Sequence, residues 1–109
     1  MTRPRYAREE MNRESEARLL EFCVHQRRNF DPAAWAAFPY VSRDELACAA
    51  RFLAGVDWYG REEQLSQEAE RLAPGSRGQL SDLANRTHFD CGRFSNMLRM
   101  ELNHAAAPS

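Results

Sequence analysis

Residues 80–102 read LSDLANRTHFDCGRFSNMLRMEL. Leu80, Leu83 and Ala84 recur at the i, i+3, i+4 spacing of a buried helical stripe. Phe94, Met97, Leu98 and Leu102 repeat the pattern further on. Between them His88-Phe89-Asp90 interrupts both stripes, and the Asp90 carboxylate is suited to cap the second helix. The stretch therefore predicts two short helices joined by a tight turn, with Phe89 in the angle between them.

The rest of the chain reads the same way. A helix is predicted from about Tyr6 to Arg28, with Glu9–Arg13 and Glu14–Arg18 pairs on its wet face. Its apolar residues, Leu19, Leu20, Phe22, Cys23 and Val24 among them, gather in the second half, and its first half is polar. Asp31-Pro32 is a start signal for a two-turn helix that Pro39 ends. Ser42-Arg43-Asp44-Glu45 is a capping box, in which hydroxyl and carboxylate each satisfy a backbone donor at the other's position. The helix it opens carries Leu46, Ala49, Ala50 and Leu53, and ends at Gly55 or runs on to Tyr59. Arg61 to Leu72 is a polar helix with a thin stripe of Leu65, Ala69 and Leu72, broken by Ala73-Pro74-Gly75. Ser76-Arg77-Gly78-Gln79 reads as a second capping box. No stretch alternates as a strand does. The expected fold is all-α, a small bundle of about five helices with the C-terminal hairpin. Its expected core includes Leu19, Phe22, Leu46, Leu53, Leu65, Leu83, Phe94 and Met97.

The 109 residues fit one domain, with about five N-terminal residues and the tail 105–109 flexible. No apolar run approaches the length of a membrane helix, and the basic N-terminus has no hydrophobic region behind it. A cytoplasmic protein is the expectation. The net charge of −1 excludes a strongly basic nucleic-acid binder. The charge is uneven: residues 31–72 hold four Arg against eight acids, whereas residues 73–109 hold four Arg against three. Every basic residue is Arg, a planar donor that pairs well with carboxylate or phosphate. Cys23, Cys48 and Cys91 lack paired spacing and read as free thiols, mostly buried. Cys23-Val24-His25 and His88-Phe89-Asp90-Cys91 have neither ribbon nor finger spacing, so no metal is expected, nor any other cofactor. Gly-rich phosphate loops, GxSxG and HExxH are all missing, and an enzyme is not expected.

Residues 80–102, about a fifth of the chain, resemble the helix-turn-helix DNA-binding superfamily. Ala84 stands where that pattern has its small residue, Phe89 at the apolar turn position, and Phe94 and Met97 as inward anchors. Where the superfamily usually has Gly in the turn, this chain has His88, a residue type enriched at positive φ. The resemblance implies a core of three helices, Arg61–Leu72, Arg77–Thr87 and Cys91–Asn103, the third entering the major groove. It implies base or groove contacts from Arg93, Ser95, Asn96, Arg99 and Asn103 and phosphate contacts from Arg77 and Arg86. The two long helices before it would be free to form a homodimer for a two-fold operator.

Two functions are thus open. One is a small, dimeric DNA-binding transcriptional regulator. The other is a protein-binding adaptor or inhibitor without nucleic-acid binding, in which residues 80–102 are a plain αα-hairpin; its partner is met by the polar first helix or by Trp35, Phe38 and Tyr40, aromatics that in a small domain are otherwise core plugs.

Overall fold

A computed structural model describes residues 5–56, 58, 60–87 and 89–106, with side-chain surroundings between Arg13 and His104. Among these residues there are six helices and no strand: α1 (Arg5–Arg28), α2 (Pro32–Ala37), α3 (Arg43–Gly55), α4 (Glu62–Leu72), α5 (Leu80–Thr87) and α6 (Cys91–Ala106). None is long and apolar enough to cross a membrane.

Helix α3 is the centre. It starts at the expected capping box: the Ser42 hydroxyl accepts from the Glu45 N–H at 3.1 Å, and the Glu45 carboxylate accepts from the Ser42 N–H at 3.5 Å. Two of the expected core positions, Leu46 and Leu53, are buried, but so are Ala47, Cys48, Ala49 and Ala50 between them. A run buried on every side belongs to a helix with neighbours all round. Helix α3 packs against α1, α4, α5 and α6, and its small Ala side chains let those helices approach closely. It stops at Gly55, where the Val56 N–H bonds back to Phe52 and Leu53. Tyr59, the alternative end of this helix, and His88, in the turn before α6, lie outside the described residues.

Helix α1 buries Glu16, Leu19, Cys23 and Gln26, a 3-4-3 stripe that is apolar in the middle and polar at both ends. Each polar end has a specific partner. Glu16 accepts from the Arg93 guanidinium of α6 at 2.7 Å. The Gln26 side-chain oxygen accepts from the Asp31 N–H at 2.7 Å and from the Trp35 indole N–H at 3.0 Å. The Gln26 carbonyl also accepts from Arg61 at 2.6 Å, so one residue gathers the ends of α1, α2 and α4. Helix α2 starts as expected, with the Asp31 carboxylate accepting from the Ala33 N–H.

Several expectations need correction. Cys48 and Cys91 are not free thiols: they form a disulfide between α3 and the first residue of α6. They are distant in sequence, so no paired spacing announced the bridge. Cys23 alone is free and buried, and burial pushes its thiol well above the ordinary value. Met97 is not an inward anchor. Phe94 and Leu98 are fully buried, whereas Met97 is only half-buried on the flank of the helix. Phe22 is likewise partly buried, packed between Trp35 and Phe38. The second capping box does not form. Gly75 and Gly78 adopt φ of 84° and 82°, a region that suits glycine, and the Ser76 hydroxyl turns to Glu70 instead. Helix α5 therefore begins at Leu80 rather than Arg77.

The α4–α6 segment does not build a three-helix core of its own. Each of α4, α5 and α6 packs on α3, and α6 packs also on α1. Of the two long helices that the sequence left free for a dimer, α3 is enclosed by its neighbours, whereas α1 packs on α6 and α3 and keeps an exposed outer face.

Candidate interaction face of the C-terminal hairpin

Helix α5 has one fully buried side chain, Leu83, with Leu80 and Ala84 partly buried beside it. It ends where the Thr87 hydroxyl donates to the Leu83 carbonyl at 3.0 Å and the Phe89 N–H donates to Ala84 O at 3.1 Å. That last bond has the six-residue span of a Schellman helix end. Phe89 is buried and its ring lies 5.1 Å from that of Phe94, filling the angle between the helices. The Asp90 carboxylate accepts from the Arg93 N–H at 3.0 Å and caps α6.

Helix α6 then buries Cys91, Phe94, Ser95, Leu98 and Leu102 and exposes Gly92, Asn96, Arg99, Met100 and Asn103. Asn96, Arg99 and Asn103 follow each other at three and four residues, so they share one side of the helix. Among the described residues their side chains make no hydrogen bond or ion pair. Met100 is 71% exposed in the middle of this face, which makes it the most exposed large apolar residue described.

The other residues assigned to the face do not join it fully. The Arg93 side chain is half exposed, but its charge is spent on Glu16, whose side chain is only 8% exposed. Ser95 is buried on the inward side of α6, away from the exposed face. Arg86 and Arg77 are exposed on and before α5. The Arg77 N–H, with that of Gly75, donates to the Glu70 carboxylate. Those bonds, the Gly75 amide first, hold the Glu70 carboxyl below its ordinary range, with the Arg51 guanidinium 3.5 Å away adding to the effect.

The aromatic connector divides between the two roles open to it, core plug and exposed contact. Trp35 is fully buried. From it a chain of rings leads outward, through Phe22 at 4.9 Å and Phe38 to Tyr40, which is half exposed beneath the Arg18 guanidinium. Trp35 is thus a core plug, and Phe38 and Tyr40 are the rim of a shallow groove that also takes in Arg18, His25 and Asn29. Two further grooves flank α6. One of about 520 Å³ runs between α1 and α6 over Leu20 and Val24. The other, about 560 Å³, lies between α3, α5 and the start of α6 and is lined by Phe52, Leu80, Ala84, Phe89, Cys91 and Gly92. No cluster of His, Cys, Asp or Glu able to hold a metal ion occurs among the described residues.

Glu16, Gln26 and Met100 were missed at the sequence level. Glu16 and Gln26 did carry a signal, the 3-4-3 spacing with Leu19 and Cys23, but their polarity hid it. Comparison of the chain with protein families, with curated proteins and with solved structures finds no match.

Proposed function

We propose that the chain is a helical protein-binding module, an adaptor or inhibitor, that meets its partner with the outer face of α6. The observation that carries this reading is Met100, 71% exposed among Asn96, Arg99 and Asn103. A large apolar side chain ringed by polar ones is the composition of a protein contact, with an apolar centre and a polar rim. The pairing of Arg93 with Glu16 leaves Arg99 as the one Arg on that face without a carboxylate partner among the described residues. A net charge of −1 suits the same reading.

A second reading, a DNA-binding regulator, is favoured by the placing of Asn96, Arg99 and Asn103 on one side of a helix that follows a tight turn. Those side chains suit bidentate contacts to adenine and guanine edges, and Arg77 and Arg86 are exposed for phosphates. One pair of experiments separates the two. Capture from the native host with wild type and with Met100→Asp as bait, read for both protein and nucleic acid, should give a protein that the variant loses. Titration of labelled genomic fragments should give nothing tighter than the non-specific range, roughly 10⁻⁴–10⁻⁶ M at physiological salt. Sequence-selective binding with a steep salt dependence would overturn the protein reading in favour of DNA.

A further inference from the structure

The two sulfurs of the Cys48–Cys91 bridge are not equivalent. Cys48 is fully enclosed in α3, whereas Cys91 is 7% exposed and forms part of the wall of the 560 Å³ groove. A nucleophile that enters this groove meets Cys91 first. The third cysteine does not compete, because Cys23 is buried on α1 and held in its thiol form. The bridge sits beside α5, the shortest of the helices packed on α3. Helix α5 has eight residues and one fully buried side chain, and a helix that short has scant stability of its own. The turn is held by Leu83 with Leu80 and Ala84 beside it, by the bonds that end α5 and cap α6, by the Phe89–Phe94 contact and, as the one covalent tie, by the bridge at the head of α6.

We infer that Cys91 is a thiol-exchange site, at which a dithiol reductant entering the groove opens the Cys48–Cys91 bridge and releases the α5–α6 turn from α3. The attacking thiolate bonds to the Cys91 sulfur; the bond to Cys48 breaks, and Cys48 leaves with the electron pair and takes up a proton. The second thiol of the reductant, losing its proton, then displaces Cys91, which is protonated in turn. The reductant departs as a cyclic disulfide. The protein gains two thiols and the reductant loses two hydrogens, so the exchange balances. Phe94 and Leu98 remain in the core, and the bundle stays folded while the turn loosens.

The test uses the full chain, purified without reductant. Under native conditions an alkylating agent should label neither Cys48 nor Cys91 before treatment with dithiothreitol and both after it, while helical circular dichroism is kept. A short exposure to glutathione, quenched with acid and mapped by mass spectrometry, should leave the adduct on the Cys91 peptide and not on that of Cys48. Hydrogen exchange over residues 80–95 should quicken roughly tenfold or more on reduction, with α3 and α4 much less affected. The Cys48→Ala/Cys91→Ala variant should exchange at the reduced rate and ignore the dithiol. Three results would each overturn the inference: labelling of both cysteines without reductant, a bridge that yields only in denaturant, or unchanged exchange at 80–95. None of these readouts depends on what the outer face of α6 binds.

Discussion

The Arg93 guanidinium donates to the Glu16 carboxylate across 2.7 Å, joining helices whose contacting residues stand 77 apart in the chain. Glu16 is nearly enclosed and Arg93 is half exposed, so the two partners are not interchangeable. Arg93→Ala strands a buried carboxylate and should cost about 1–3 kcal/mol. Glu16→Gln keeps a hydrogen-bonding side chain and should cost less. Urea unfolding of both variants and of the pair measures the asymmetry; equal losses would mean that the carboxylate is hydrated after all.

Gln26 should behave as a hub. Gln26→Ala removes the acceptor for both the Trp35 indole N–H and the Asp31 N–H. Leaving a buried donor unpaired typically costs about 1–3 kcal/mol, and the indole should register the change in its fluorescence before unfolding. An unchanged melting curve and emission spectrum would show that water replaces the amide.

Phe94→Ala should cost about 3–5 kcal/mol, as truncation of a fully buried aromatic does. Met97→Ala, at a half-buried flank, should cost much less. Thermal denaturation of the two variants side by side checks the placing of the inward face of α6.

Glu70 predicts an acid-side dependence. Its folded-state pKa lies below the ordinary value, chiefly because the Gly75 and Arg77 amides bond to the ionised form. A group depressed in the folded state adds stability above its unfolded pKa, and that stability is lost as the pH falls through the folded value. Wild type should therefore melt above Glu70→Gln at neutral pH, and the gap should close as the pH falls through and below the ordinary carboxylate range. A gap that is constant with pH would assign the effect to shape rather than charge.

The Cys48→Ala/Cys91→Ala variant, compared with the oxidised chain, should be less stable by about 2–4 kcal/mol, as for bridges that close loops of this order.

Local relationships were legible in the sequence and distant ones were not. Ser42 and Glu45 recognise each other within one turn, so their capping box could be read from spacing alone. The same template failed at Ser76, because Glu70, six residues back, offers the hydroxyl a partner and Gly78 turns the chain away. Periodicity found the inner faces of α5 and most of α6, but it could not choose between the adjacent Met97 and Leu98, which differ by which neighbours flank the helix. For Trp35 the sequence left core plug and exposed contact both open, and what decides it is a tertiary contact: Gln26 at hydrogen-bond distance makes the interior a good place for an indole N–H. At the candidate site, Asn96, Arg99 and Asn103 share an exposed face as their spacing required. Arg93 depended on the position of α1, which no local pattern encodes.

The same α1–α6 contacts fix a direction. Glu16 meets Arg93, and eleven residues further along α1 the Arg27 guanidinium donates to the Leu102 carbonyl at 3.2 Å, so the two helices run parallel. Traction applied to the start of α1 and the end of α6 would slide one helix along the other, straining both contacts at once instead of peeling them apart in succession. Built this way, the bundle meets a pull along the chain in shear.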